Sequence, residues 1–124
     1  MKLHLTTAEN NHLITGYGEG FIEINKKRYT QNLIVLADQL IEGWSAINFA
    51  DLTAENSAEI AEIEPEVVLL GTGETHRFLH PKIAQHLTEK GIPLECMTTA
   101  AACRTYNILM SEGRHVAAAL LINQ

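Results

Sequence analysis

The chain has 124 residues, 46% of them apolar, enough to bury one core without disulfides or a metal and too few to divide, so residues 1–124 are read as a single domain. A formal net charge of -6, with Lys26-Lys27-Arg28 as the longest basic run, argues against nucleic acid, whose phosphates need clustered cations, and against acidic partners. The longest apolar run, Val116 to Ile122, is far short of the roughly 20 residues of a membrane span.

Met1-Lys2-Leu3-His4 begins neither a signal nor a transit peptide, and Cys96 and Cys103 form no CxxC and no disulfide framework. The expectation is a cytoplasmic chain with reduced thiols. In the first half, Leu3–Leu5, His12–Tyr17, Phe21–Ile24 and Tyr29–Leu36 are short β-rich runs separated by turn signals, which predicts antiparallel strands. Gly16, Gly18 and Gly20 leave one strand face bare and predict a bulge or a close backbone approach. Asn25-Lys26 is the predicted tight turn into Lys27–Tyr29, and Asn32–Leu36 is apolar almost throughout, as a strand buried on both faces should be. Asp38–Gly43 reads as a loop or helical turn and Trp44–Phe49 as a further strand; Asp51 or Thr53 caps a helix to about Ile63, stopped by Pro65.

The second half alternates strand and helix: strand Val67–Leu70, turn Gly71-Thr72-Gly73, a helix opened by Pro81 and stopped by Gly91, strand Ile92–Met97, a helix from Thr98 or Thr99 to Glu112 stopped by Gly113, and strand Val116–Ile122. This is the βαβαβ signature of parallel strands, so the fold class is α/β, a three-layer domain whose central mixed sheet takes antiparallel strands from the first half and parallel ones from the second. No internal repeat or low-complexity segment is visible.

Ligands of such sheets bind outside the carboxyl ends of the parallel strands, which predicts a crevice between loop 71–80 and the amino end of helix 98–112. Gly71, Thr72, Gly73, Thr75, Arg77, Thr98 and Thr99 would line it and supply donors to an anion. Along the helix, Ala102, Cys103, Tyr106, Leu109 and Met110 share an apolar arc, with Arg104, Asn107 and Ser111 as a polar stripe beside it and Arg114 just beyond. The stripe is either a solvated edge or a binding surface. As a binding surface it would tolerate Asn107→Ala or Ser111→Ala with little loss of stability, whereas Arg104 and Arg114 are read first as ties between helix ends and loop carbonyls.

Several motifs fail on inspection. The third glycine of a dinucleotide fingerprint begun at Gly71-Thr72-Gly73 would fall at His76, and no Gly-Lys-Ser/Thr follows to make a phosphate loop. His76 and His80 have helical zinc spacing, but Pro81 disfavours a helix through them; His4, His12, His86 and His115 are scattered, so no metal is expected. Cys103 lies near a helix amino end beside Arg104, which would favour a thiolate, yet it falls on the packed arc and is read as an unreactive thiol. No Ser/His/Asp arrangement is visible.

The runs VVLLGTGETHRFLHP, GIPLECMTTAAACRTYN and SEGRHVAAALL closely resemble a small uncharacterised domain family that includes a human mitochondrial complex I assembly factor and an adipogenesis-associated cytosolic protein. Gly71, Gly73, Phe78, Pro81, Met97, Thr99, Ala102, Arg104, Asn107, Leu109, Glu112, Gly113 and Arg114 carry the resemblance, while INKKRYTQNLIVL matches more loosely, with Lys26 where the family often has glycine and Ala37 near its usual proline. The resemblance implies a three-layer α/β domain with no established activity, cofactor or catalytic residue. The expected function is a non-catalytic protein-binding domain of assembly-factor type with another protein as partner; the alternative is a small-anion or small-ligand site, or an enzyme, in the 71–80/98–112 crevice.

Overall fold

A computed structural model describes residues 11–122, so the strand expected over Leu3–Leu5, and His4 with it, lie outside the described residues. The strands are β1 (Ile14–Gly18), β2 (Phe21–Ile24), β3 (Lys27–Tyr29), β4 (Leu33–Val35), β5 (Leu40–Ile41), β6 (Val67–Gly71), β7 (Leu94–Met97) and β8 (Val116–Leu120). The helices are α1 (Ala54–Ala61), α2 (Gln85–Glu89) and α3 (Thr99–Ser111).

The core sheet has the order β5-β4-β8-β6-β7, with β7, β6 and β8 parallel and β4 antiparallel to both β8 and β5. Both of its faces are covered, which is why its strands are apolar at successive positions. Leu33, Val35, Val67, Leu69, Val116, Ala118 and Leu120 face α3 and the hairpin strands, whereas Ile34, Leu36, Val68, Leu70, Ala117, Ala119 and Leu121 face α1, α2 and Trp44. This is the three-layer mixed α/β domain that the element pattern predicts. The strands β1-β2-β3 form a second, antiparallel sheet of their own, lying with α3 on one side of the core sheet.

Local chemistry sets the element ends. Thr53 and Asn56 form a reciprocal capping box at the start of α1, and the Thr98 hydroxyl accepts from the Ala101 amide at the start of α3. At the far end of α3, Gly113 takes φ 83° and the Arg114 amide returns to the Leu109 carbonyl (3.1 Å). The Asn25-Lys26 turn places both residues at positive φ (49° and 72°), the geometry two-residue hairpins prefer. Lys26 stands where glycine would be cheapest, and its amide is held by the Thr15 hydroxyl at 3.0 Å. Thr15 sits at the β1 bulge, where the pairing with β2 slips between Ile14 and Gly16.

Four expectations are corrected. Trp44–Phe49 is not a strand: the Asn32 amide group donates to the Ala46 and Ile47 carbonyls (3.1 and 2.7 Å) and the Trp44 indole to the Asn56 carbonyl (3.1 Å), so side chains replace a ladder. Asp38–Gly43 contains β5, paired back onto β4. The run Tyr29–Leu36 breaks at Thr30–Gln31, where the chain passes from one sheet to the other. Pro81 opens only turns; α2 begins at Gln85, after the His80 carbonyl has accepted from the Ile83 and Ala84 amides.

Candidate functional site

At the carboxyl ends of β6 and β8 a cleft of ≈1040 Å³ opens. One wall is the β1–β2 hairpin end, Tyr17 to Ile22; the other is the loop carrying Thr72 to Thr75 and Arg77; the floor is Thr98, Thr99 and Ala100 with Leu121 and Ile122. It therefore lies where parallel strands end and the next helix begins.

The floor is built around Thr99. Its hydroxyl accepts from the Gly73 amide and donates to the Leu121 carbonyl (2.8 Å each), and its amide donates to the Gly73 carbonyl (2.9 Å). This needs α3 to start close against β6, and Gly71 permits it: a Cβ there would lie 2.9 Å from the Thr99 Cα. Thr72 is buried, its hydroxyl donating to the Thr75 carbonyl (2.6 Å) with the Met97 carbonyl at 3.2 Å. Of the threonines expected to offer donors to an anion, Thr72 and Thr99 are thus engaged in holding the loop and Thr98 caps α3, and Arg77 remains as the charged donor of the set.

The hairpin wall is organised by Gly18, whose missing side chain admits the Phe21 ring: a Cβ would meet it at 2.7 Å. The Arg28 guanidinium covers that ring at 3.8 Å from its centroid, so the ring is held between backbone and cation. Sequence reasoning missed this wall. The alternating glycines signalled a close approach, but the meeting of residues 17–22 with 98–100 is a tertiary event.

The polar stripe of α3 does not gather at one place. Arg104 donates to the Tyr17 hydroxyl (2.9 Å) and so flanks the cleft, which corrects the expectation of a tie to loop carbonyls. Asn107 faces the β1 backbone, its Nδ2 donating to the Ile14 carbonyl (2.7 Å) and its Oδ1 accepting from the Ile14 amide (3.0 Å). The expectation of a near-neutral alanine substitution there is corrected, because the side chain completes a strand edge. Ser111 donates to the Asn107 carbonyl one turn back (2.7 Å). Arg114 pairs with Glu66 (3.3 Å) ahead of β6 and β8, about 16 Å of strand away from the cleft. The His115 amide above all holds the Glu66 carboxyl below its ordinary range, against the opposing effect of desolvation and with lesser help from Arg114.

His76 is within 3.0 Å of the Cys96 carbonyl, and His80 accepts from the Lys82 amide (3.0 Å), so each directs one ring nitrogen at its own backbone. Cys103 is fully buried on the packed arc, and burial pushes its thiol up to about 12, outweighing the opposing charge of Arg104. Near neutral pH the Cys103 thiol therefore stays protonated. We expect iodoacetamide to label half-buried Cys96 well before Cys103 in the folded chain, with both labelled at equal rates in denaturant. Site-resolved mass spectrometry showing Cys103 labelled as fast as a free thiol would refute the packing assignment.

Residues 14–121 match the family model described as "Protein of unknown function (DUF498/DUF598)". NADH dehydrogenase [ubiquinone] 1 alpha subcomplex assembly factor 3 of Xenopus tropicalis is 31% identical over 97% of this chain and 66% of that protein. Its Mus musculus counterpart is 37% identical over 70% of this chain and 48% of that protein. The chain thus spans about half to two thirds of the length of these curated relatives. Among solved structures, a Bordetella parapertussis protein superposes with a TM-score of 0.84 at 39% identity, covering 90% of this chain and 95% of that one.

Proposed function

The chain belongs to the DUF498/DUF598 family of proteins of unknown function, and from that premise we propose that it is a non-catalytic protein-binding domain of assembly-factor type, acting on subunits of a NADH dehydrogenase. The observation that carries this reading is the match to assembly factor 3 of Xenopus tropicalis along nearly the whole chain. Support comes also from the cleft, where the Thr72 and Thr99 hydroxyls are committed to backbone groups, and from the core, where the buried Cys103 thiol is held protonated away from the cleft. No helix among the described residues is long and apolar enough to cross a membrane, so on this reading it meets its client from outside the hydrocarbon layer.

The test is capture in the source organism with the tagged chain as bait, quantified by mass spectrometry, beside native-gel analysis of a strain lacking the gene. Enrichment of NADH dehydrogenase subunits and a lowered level of the assembled enzyme are expected. Absence of those subunits from the bait, together with unchanged assembly in the deletion strain, would sink the proposal.

A further inference from the structure

We infer that the cleft between the β1–β2 hairpin and the 71–77 loop is where the partner docks, and that its occupant is an extended acidic peptide segment of that partner, carrying aliphatic or aromatic side chains between its carboxylates. The inference rests on the protein-binding reading and adds the place and the chemistry.

The chain has four arginines, of which one lines this cleft and two more touch residues that line it. Arg77 lines it, Arg104 is bonded to Tyr17 in its wall, and Arg28 covers Phe21 in the same wall. None of the three has a carboxylate partner among the described residues, where the ion pairs are Lys90–Glu64 and Arg114–Glu66. Arg28 and Arg77 rest against aromatic rings, Phe21 and, at 5.5 Å, Phe49, while Arg104 donates to the Tyr17 hydroxyl. A guanidinium laid on an aromatic surface keeps its charge and is ordered before a partner arrives, so less entropy is lost on pairing it with a carboxylate. The net charge of -6 argues against an acidic partner, but attraction at a docking site follows the local field, and here the uncompensated charge is positive. Glu19 and Glu74 also line the cleft, so the occupant's carboxylates must lie against the arginines and its apolar groups elsewhere.

Size and lining suit a peptide segment. The cleft's ≈1040 Å³ stands at the upper end of the roughly 300–1,000 Å³ of small-ligand pockets, and its lining mixes charged and apolar residues. Phe21, Ala100 and Ile122, all half-buried, offer the apolar part. Phe78, 81% exposed and next to Arg77 on the same loop, adds an uncovered aromatic anchor of the kind that dominates protein interfaces.

A displayed library of random peptides selected on the full chain tests this. Enriched peptides should carry Asp or Glu beside an apolar residue. Their affinity should fall about tenfold or more with Arg77→Glu or Arg104→Glu, both exposed positions, and with Ala100→Trp, which fills the floor. Unchanged melting of the variants separates this loss from unfolding. Enriched peptides without acidic residues, or affinities unmoved by all three substitutions, would overturn the inference; so would equal displacement by a synthetic copy of residues 1–10, or full displacement by inorganic phosphate at matched ionic strength. If NADH dehydrogenase subunits are captured equally by wild type and by the arginine variants, the cleft assignment falls and the protein-binding reading stands; if wild type captures none, that reading falls first.

Discussion

Gly71→Ala is expected to cost about 1–3 kcal/mol and Gly71→Val more, because the added carbon has no room to move into. The three atoms it would meet are the Thr99 Cα at 2.9 Å, the Thr99 Oγ1 at 3.0 Å and the Leu120 Cδ2 at 3.1 Å. Of these only the leucine methyl can swing away. Relief therefore requires the first turn of α3 to retreat from β6, which stretches the two bonds between Thr99 and Gly73 and the one to the Leu121 carbonyl. Gly71 is not among the residues at positive φ, so the penalty is steric and not conformational. Gly43 supplies the control: it too lacks a positive φ, and a Cβ there meets nothing within 4 Å. Gly43→Ala should be neutral or stabilising by up to roughly 1 kcal/mol through the unfolded chain alone. Urea midpoints at unchanged slope measure both. A Gly71→Ala midpoint indistinguishable from wild type would show that the α3 start is not clamped, and the rigid cleft floor would go with it.

That clamp also marks how far the sequence could be read. The second half was legible because its periodicities are local: Val67–Gly71 and Val116–Leu120 are continuous apolar runs, and Thr98 and Gly113 bracket a helix by cap chemistry that needs no knowledge of the rest of the chain. The crevice followed from topology. What the sequence hid were contacts spanning most of its length. Asn107 bonds Ile14 across 93 residues and Arg104 bonds Tyr17 across 87, and neither pairing leaves a mark in the spacing of its own helix. The stripe Arg104, Asn107, Ser111 looked like one surface because helical period places these residues on one face, yet the strand laid along that face divides it into a cleft flank, a strand-edge clamp and a solvated end. WSAINF misled for a related reason: its β-rich composition reflects burial of Trp44 and Ala46, while its carbonyls are satisfied by the Asn32 side chain instead of a neighbouring strand.

Asn107→Ala should destabilise the chain by about 2–4 kcal/mol, since it strips both partners from the buried Ile14, whose amide and carbonyl each cost about 1–3 kcal/mol unpaired, less where water reaches them. Asn107→Asp separates the clamp from mere packing. The carboxylate still accepts from the Ile14 amide, but the donor to the Ile14 carbonyl is gone and a negative charge faces that oxygen. Only the protonated acid can restore the lost bond, so the folded state raises the pKa of the introduced group above the roughly 3.9 of an unperturbed aspartate. A raised folded pKa gives stability that is present below the unfolded value and lost as pH rises through the folded one. The deficit of Asn107→Asp relative to wild type should therefore shrink from pH 7 to pH 4, while that of Asn107→Ala stays flat. Parallel pH profiles for the two variants would refute the paired bonds to Ile14. The consequence reaches the cleft, because the clamp fixes β1 at Ile14 and the same strand delivers Tyr17 and Gly18 to the cleft wall at its far end. Variants that loosen Ile14 should weaken partner capture even though residue 107 lines no part of the cleft, and a fully folded Asn107→Ala with undiminished capture would show that the hairpin holds its place without it.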